Sequence, residues 1–208
     1  MSKKKIAVLI SGGGSNLQSL IDQQKSGFIH GEIALVISNN KNAYGLIRAE
    51  QNKIPALYIS KKDYPTNELY DRKLSELFSE YGIDLIVLAG YLRYVTPELI
   101  AQYPNKIINI HPSLLPAFGG QGYYGAKVHQ AVYAGGAKVS GATVHFVDEG
   151  QDTGPIILQQ AIALDSKWQP EDIAKYVLRI EHQILPLAVK YFCEDKLTVE
   201  NNRVYIDL

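Results

Sequence analysis

Residues 6–16 read IAVLISGGGSN. An unbroken run of five apolar residues is typical of a strand that is covered on both faces of a parallel sheet. Glycines follow this run, and an amphipathic pattern then extends from Asn16 to about Lys25. The stretch predicts a β-strand, a tight glycine loop and an α-helix, which is the opening unit of an α/β fold.

The alternation of short apolar runs and helical patterns continues through the first half of the chain. Further strands are predicted over residues 33–37, 56–59, 85–88 and 107–110, with helices over 44–52, after Thr66 and after Thr96-Pro97. This rhythm predicts a Rossmann-like, mostly parallel sheet with helices on both faces.

The second half of the chain has longer strands and a different spacing. Its predicted elements are a helix over 126–133, strands over 142–147 and 156–163, a long helix from Pro170, and short strands over 197–200 and 204–206. Asn201-Asn202 lies between the last two strands and is typical of a hairpin turn. We expect a modified C-terminal part with an antiparallel element, within one domain that spans residues 1–208.

The composition bears on the class of partner. Of the 208 residues, 46% are hydrophobic, and 21 Lys and Arg residues balance 21 Asp and Glu residues. A neutral balance argues against the broad basic field that nucleic-acid binding needs. The apolar run after the basic segment 1–5 is too short for a signal peptide or a membrane span. We therefore expect a cytoplasmic protein, a monomer or homodimer, with small-molecule substrates and neither nucleic-acid nor membrane partners.

Metal and disulfide chemistry have little support in the sequence. The single cysteine, Cys193, forms neither an internal disulfide nor a zinc cluster, and we interpret it as a buried apolar side chain near a helix end. The five histidines are scattered without a metal-binding spacing, so we expect no metal. His145 lies within a strand pattern, and we interpret it as partly buried and structural.

The glycine loop itself has two interpretations. Glycines before a helix allow backbone N–H groups to approach an anion, and the helix N-terminus adds a partial positive charge, so a phosphate is a natural ligand. The alternative is a tight turn without a ligand. A dinucleotide fits poorly, because Leu17 replaces the third glycine of the fingerprint and Ser38-Asn39-Asn40 replaces the expected acidic residue.

Two more segments follow predicted strands at the same edge of the sheet. Residues 88–95 stay apolar and aromatic beyond their strand, as in a loop that lines a flat-ring pocket or in one that packs on the core. Residues 109–116 read NIHPSLLP, and alternation places Asn109 and His111 on one side of the strand. An amide and an imidazole side by side suit acyl transfer, although a structural histidine is an equal alternative.

An acidic segment links the two longer strands. Residues 148–155 read DEGQDTGP and contain three carboxylates. A carboxylate that lies near an imidazole raises the pKa of that imidazole. Taken alone, the segment also fits a solvated hairpin.

Together these motifs carry a family resemblance along nearly the whole chain. The matching segments are ISGGGSNL at 10–17, LAGYLR at 88–93, NIHPSLLP at 109–116, VHFV at 144–147, DTGPII at 152–157, and Glu181-His182 with Pro186. The chain resembles the folate-dependent formyltransferases. Its Gly-Ser-Asn loop is similar to that of the branch acting on glycinamide ribonucleotide.

The resemblance implies a reaction and a role for each matching position. The co-substrate is 10-formyltetrahydrofolate, whose formyl group passes directly, through a tetrahedral intermediate, to the amine of glycinamide ribonucleotide in de novo purine (IMP) biosynthesis. The implied catalytic residues are Asn109, His111 and Asp152. The implied ribonucleotide contacts are Gly14, Ser15, Asn16 and Glu181. The implied folate contacts are Leu92, Arg93, Tyr94, Val95 and Asn109, with the loop 148–152 lining the pterin.

The chain departs from the family pattern at two places. Asn67 stands where many members have a basic residue that binds the folate tail, and residues 118–125 form a long glycine-rich loop without an assigned role. Three alternatives stay open at this point. They are a formyltransferase of the same superfamily with another acceptor, a formyl-folate hydrolase, and a non-catalytic ligand-binding module on this fold.

Overall fold

The computed structural model describes residues 3–208; Met1 and Ser2, which begin the basic N-terminal segment, lie outside the described residues. The strands are β1 (Lys4–Ile10), β2 (Gly31–Ser38), β3 (Ala56–Tyr58), β4 (Leu85–Leu88), β5 (Ile107–His111), β6 (Val139–Phe146), β7 (Ile156–Ala163), β8 (Leu197–Glu200) and β9 (Arg203–Ile206). The helices are α1 (Ser15–Lys25), α2 (Tyr44–Gln51), α3 (Asn67–Tyr81), α4 (Pro97–Gln102), α5 (Ala126–Ala134) and α6 (Pro170–Cys193), with a short 3-10 turn at Lys61–Asp63.

The main sheet has seven strands in the order β3-β2-β1-β4-β5-β6-β7. The strands β1 to β5 are parallel to one another, whereas β6 pairs antiparallel with β5 and β7 pairs antiparallel with β6. The strands β8 and β9 form a separate antiparallel hairpin. The predicted fold class, a mostly parallel α/β sheet with an antiparallel element in its C-terminal part, is confirmed.

Two apolar clusters pack on the two faces of the sheet. One joins side chains of α1, α5 and α6 to the sheet, among them Leu17, Val132 and Val177. The other joins side chains of α3 and α4, among them Tyr70 and Leu99. Because both faces are covered, the central strands are apolar throughout, which is why continuous apolar runs predicted them correctly.

The strand order reverses between β1 and β4. The chain steps outward from β1 to β2 and β3, then returns to place β4 on the other side of β1. Ligands of open α/β sheets bind at such a switch point, beyond the carboxyl ends of the strands. Here the loops after β1 and β4 are joined, since Ser11 N–H donates to Gly90 O at 3.1 Å and Leu92 N–H donates to Ser11 Oγ at 2.8 Å.

Local signals set the ends of several elements. Thr66 caps α3, its Oγ1 accepting from Leu69 N–H at 3.3 Å, and Thr96 caps α4 with Pro97 in its first turn. The hairpin turn holds Asn201 at φ 50° and Asn202 at φ 62°, the left-handed pair that a two-residue turn requires. These three predictions are confirmed.

Cys193, predicted to be buried, is only half-buried at the end of α6. Its partial burial raises the thiol pKa to about 12.

Within residues 3–208, no helix combines the length and apolarity that a membrane crossing requires.

Candidate active site

A row of paired residues crosses three neighbouring strands and forms the floor of a cavity. Leu88 of β4 lies opposite Asn109 of β5, and Asn109 lies opposite His145 of β6. All three line a cavity of about 510 Å³. The sheet register thus places an amide and an imidazole side by side at the base of an open pocket.

Asn109, His111 and Asp152 converge at the end of β5. Asp152 reaches the strand from the loop after β6, and its Oδ2 lies 3.4 Å from Nδ1 of His111. Its Oδ1 accepts a hydrogen bond of 3.4 Å from Nδ2 of Asn109. The loop 148–155 therefore folds back over the sheet, and the structure brings together the three residues that the resemblance implied.

His111 is held in one orientation by the backbone. Its Nε2 lies 2.8 Å from the carbonyl oxygen of Phe118, which only accepts, so Nε2 carries a proton. Protonation therefore occurs at Nδ1, the atom that faces Asp152. Burial lowers the pKa of His111 below its ordinary value, and this effect outweighs the opposing charge of Asp152. The expectation that Asp152 raises the pKa of His111 is confirmed in direction, but burial has the larger effect because His111 is only 4% exposed.

Asp152 stays ionised although it is largely enclosed. Burial alone would raise its pKa, but the nearby imidazoles of His145 and His111 and the backbone N–H of Gly120 lower the pKa overall. Gly120 N–H donates to Oδ2 at 2.9 Å. The result is a neutral imidazole beside a carboxylate, an arrangement that can take up a proton at Nδ1 and stabilise it.

The glycine-rich loop after the histidine motif is part of this site. Phe118 accepts the His111 hydrogen bond and Gly120 binds Asp152, while residues 120–122 and Tyr124 line the cavity. No role for this loop could be predicted from its residues. Its site contacts are made mainly by backbone groups, which leave no signature in side-chain identity.

Ser113 of the same motif stabilises the backbone after β5. Its Oγ donates to the carbonyl oxygen of Ala117 at 2.6 Å, and its own carbonyl accepts from Thr143 Oγ1 at 2.7 Å. The bond from Thr143 joins the residues after β5 to β6, and the bond to Ala117 closes the turn that brings Phe118 back to His111.

The segment after β4 forms one wall of the cavity. Leu92, Arg93, Tyr94 and Val95 all line it, with Leu92 exposed and Val95 buried. Tyr94 OH donates to the carbonyl oxygen of Glu149 at 2.9 Å, so this wall is joined to the loop that carries Asp152. The wall is apolar and aromatic, as a site for a flat ring requires.

Arg93 brings a cation to this wall. Its guanidinium lies 3.8 Å from the centre of the Tyr70 ring, and Nη2 donates to Oδ1 of Asn67 at 3.2 Å. Its Nε and Nη1 are buried and have no hydrogen-bond partner among residues 3–208. Asn67, which stands in the place of a basic residue, therefore orients Arg93.

The glycine loop follows β1, at the same edge of the sheet as the end of β5. Gly14, at φ 71°, precedes α1, and a side-chain Cβ there would lie 2.7 Å from Cα of Gly45. Glycine at this position is therefore required by the packing of two backbones, which supports the tight-turn interpretation without opposing an anion site. Ser15 begins α1, and its side chain is partly exposed.

Asn16 and Glu181 meet behind this loop. Nδ2 of Asn16 donates to Glu181 at 2.6 Å, and both side chains are about nine-tenths buried. Oδ1 of Asn16 is buried without a partner in residues 3–208. Burial raises the pKa of Glu181 to about 7, against the opposing effect of the Asn16 bond. The four implied ribonucleotide contacts thus form one group.

In the described part of the chain, no cluster of three or more His, Cys, Asp or Glu side chains is arranged to hold a metal ion. The arrangement offers an amide, a buried imidazole and a carboxylate in contact at the base of an apolar cavity. These groups can bind a developing oxyanion and move a proton.

Comparison with known proteins agrees with this geometry. Residues 4–189 match the family described as Formyl transferase. This chain belongs to the formyl transferase family. A relative of this formyl transferase in Haemophilus influenzae, a phosphoribosylglycinamide formyltransferase, is 42% identical, with 98% of this chain and 94% of that protein covered. The chloroplastic phosphoribosylglycinamide formyltransferase of Arabidopsis thaliana is also 42% identical, over 94% of this chain and 67% of that protein.

A solved structure gives the same result for the fold. The crystal structure of glycinamide ribonucleotide transformylase 1 from Symbiobacterium toebii is 43% identical to this formyl transferase and superposes with a TM-score of 0.93, covering 98% of this chain and 94% of that one. The resemblance to the folate-dependent formyltransferases, and to the branch named for phosphoribosylglycinamide, is confirmed.

One residue of the site was missed. His145, interpreted as partly buried and structural, is 2% exposed, yet its Nε2 lies 3.1 Å from Nδ2 of Asn109 and 3.6 Å from Asp152 Oδ1. The correction follows from the pairing of β5 with β6, which puts His145 directly opposite Asn109. A single sequence does not specify that register.

Proposed function

We propose that this formyl transferase moves the formyl group of 10-formyltetrahydrofolate to the amine of glycinamide ribonucleotide, a step of de novo purine biosynthesis. The observation that carries the proposal is the convergence of Asn109, His111 and Asp152 at the end of β5, where Asn109 and Asp152 line the apolar cavity. The glycine loop at the start of α1 follows β1 at the same edge of the sheet and offers a second, unlike site. The relatives named phosphoribosylglycinamide formyltransferase support the identity of the acceptor.

The acceptor binds at the glycine loop. Its phosphate accepts from backbone N–H groups of Gly14, Ser15 and Asn16, since the first N–H groups of a helix lack partners within the helix. Glu181, enclosed behind the loop, accepts hydrogen bonds from hydroxyl groups of the ribose. The glycinamide amine then extends toward the end of β5.

The folate binds in the cavity. Its ring system packs between the wall 92–95 and the loop 148–152, and its formyl group lies above Asn109. The positive charge of Arg93, which lines this cavity, suits the carboxylate of the tail and compensates for Asn67 at the usual basic position. The two substrates meet above Asn109.

The transfer is a direct addition and elimination. The lone pair of the acceptor amine forms a bond to the formyl carbon, and the carbonyl electron pair moves to oxygen. Asn109 donates an N–H to this oxyanion, and protonation of His111 at Nδ1 places a positive charge beside it. The attacking nitrogen loses a proton and N10 gains one as the bond from carbon to N10 breaks. The products are the formylated amine and tetrahydrofolate.

Asp152 stabilises the charged form of His111 during this sequence. Burial favours the neutral imidazole in the resting site, so a proton taken from the attacking amine is passed on readily. The carboxylate at 3.4 Å limits the cost of holding that proton while the intermediate exists. His111 therefore serves as a proton carrier between the two nitrogen atoms.

A turnover assay tests the proposal. Purified protein with glycinamide ribonucleotide and 10-formyltetrahydrofolate should produce tetrahydrofolate, followed by folate absorbance, and the formylated ribonucleotide in equal amounts. Formate release without an amine would indicate a hydrolase, and formylation of another amine alone would indicate a different acceptor. Binding of folate without any turnover would indicate a non-catalytic module and contradict the proposal.

A further inference from the structure

We propose that His145 is a positioning residue for Asn109. It accepts one N–H of the Asn109 amide, so that the second N–H, the one facing Asp152, is the donor to the formyl oxygen. The inference rests on the proposed function, because it assigns the direction of the Asn109 amide in that reaction.

The sheet register brings the two side chains together. His145 of β6 lies directly opposite Asn109 of β5 in an antiparallel pair, where Cβ atoms are about 5 Å apart. Nε2 of His145 lies 3.1 Å from Nδ2 of Asn109. His145 is 2% exposed, so water does not compete for this bond.

A second contact sets the tautomer of His145. Its Nδ1 lies 2.8 Å from the carbonyl oxygen of Phe146, and a carbonyl only accepts. Nδ1 therefore carries the proton of the neutral ring, and Nε2 is left as an acceptor. Asn109 has to present its NH₂ group to that acceptor rather than its oxygen.

The two protons of the Asn109 amide are thereby distinguished. One is directed to Nε2 of His145 at 3.1 Å, and the other to Oδ1 of Asp152 at 3.4 Å. The bond to Asp152 is the longer one, and Asp152 also accepts from Gly120 N–H and faces His111. The carboxylate can release the Asn109 proton to a formyl oxygen, while the bond to His145 keeps the amide from rotating.

His145 and His111 hold opposite tautomers as a result. His145 carries its proton on Nδ1 and His111 on Nε2, each fixed by one backbone carbonyl, those of Phe146 and Phe118. One imidazole accepts from the amide that binds the oxyanion, and the other takes up a proton.

Substitution of His145 tests this role. His145→Leu removes the acceptor, whereas His145→Gln retains an acceptor oxygen at about the same reach. We expect His145→Leu to lower kcat by about tenfold or more, since a small misplacement of a catalytic group costs up to about a hundredfold, with KM for both substrates nearly unchanged. His145→Gln should recover most of kcat. Val144→Ala is the matched control, because Val144 is buried against the opposite face of the sheet.

A double-mutant cycle with Asn109→Ala separates positioning from structure. If His145 acts through Asn109, His145→Leu should change kcat by less than about twofold when Asn109 is already alanine, because the two effects are coupled. An equal loss in both backgrounds would overturn the inference. The proposed function fails separately, if the wild type shows no transfer or if Asn109→Ala alone has wild-type kcat.

A spectroscopic measurement keeps the test independent of folding of the variants. Ring ¹⁵N shifts of the wild-type protein report the tautomer of each histidine. We expect protonated Nδ1 for His145 and protonated Nε2 for His111 at neutral pH. A proton on Nε2 of neutral His145 would contradict the inference, since Asn109 Nδ2 would then face a donor.

Discussion

Asn16 donates a hydrogen bond of 2.6 Å from its side-chain amide to the carboxylate of Glu181, across 165 positions of sequence. The bond joins the first turn of α1 to the middle of α6 directly behind the glycine loop. Glu181 is enclosed, and burial raises its pKa to about 7. The carboxylate therefore changes charge near neutral pH, and we expect both the stability of the protein and its affinity for the ribonucleotide to depend on that change.

The stability of the free protein should depend on pH through Glu181. Its pKa is raised from 4.5 to about 7 on folding, so the folded state holds a proton that the unfolded state has lost between these values. Relative to Glu181→Gln, the wild type should lose about 1.4 kcal/mol of unfolding free energy per pH unit as pH rises through this range. Urea denaturation of both proteins from pH 5 to 8 measures this, and parallel curves would contradict it.

Asn16→Ala should weaken the ribonucleotide and spare the folate. It removes the side-chain amide that holds Glu181, the residue that binds the ribose hydroxyl groups in the proposed complex. A hydrogen bond to a charged group contributes about 1.5–3 kcal/mol, so KM for the ribonucleotide should rise about ten- to hundredfold with folate KM nearly unchanged. Steady-state kinetics with each substrate varied in turn gives both constants. Gln23→Ala, further along α1, is the control, and a rise in folate KM alone would reverse the placement of the substrates.

His111→Ala should lose most of the transfer activity while the protein stays folded. Loss of one group that stabilises an oxyanion lowers kcat by about a hundred- to thousandfold, and the proton carrier is lost with it. Single-turnover kinetics measures the rate, and thermal unfolding confirms a cooperative fold. His30→Ala, at an exposed histidine, should keep wild-type activity. A His111→Ala protein with near-wild-type turnover would exclude this residue from the chemistry.

Asp152→Asn should lower the pKa of His111 further below its ordinary value. Burial already lowers that pKa, and the charge of Asp152 is the main opposing effect. Without it, the imidazolium is less stable, so the acidic limb of the pH–rate profile should move to lower pH. NMR titration of the His111 ring measures the change. Asp148→Asn is the control, because Asp148 bonds within its own loop, to Gly150 N–H and Thr153 Oγ1. An unchanged His111 pKa in Asp152→Asn would refute the pairing of His111 with Asp152.

Much of the fold could be predicted because burial leaves a direct trace in sequence. A strand covered on both faces needs an unbroken apolar run, as at residues 6–10 and 85–88, and both runs are strands. Thr66 and Thr96 mark helix starts because their side chains accept hydrogen bonds from the first turn, which is also a local signal. The ends of the elements were predicted less accurately than their presence, since β6 begins at Val139 rather than at Ala142.

The site could be predicted only in part, because its remaining features depend on contacts between distant segments. His145 is part of a regular strand pattern, and only its pairing with Asn109 points to the role that we propose for it. Phe118 and Gly120 act through backbone atoms that every residue possesses. The direction in which Asp152 shifts the pKa of His111 follows from its charge, but the larger lowering by burial is set by the folded surroundings of the ring.

The pairing of β5 with β6 also has a consequence for how the enzyme becomes active after synthesis. Asn109 and His145 are 36 positions apart, and Asp152 follows β6, so the groups of the proposed site meet only when β6 has paired with β5. Contacts between distant segments close a larger loop than the contacts within a helix do. We therefore expect formyl transfer in a refolding experiment to recover after the far-ultraviolet circular dichroism signal of the helices.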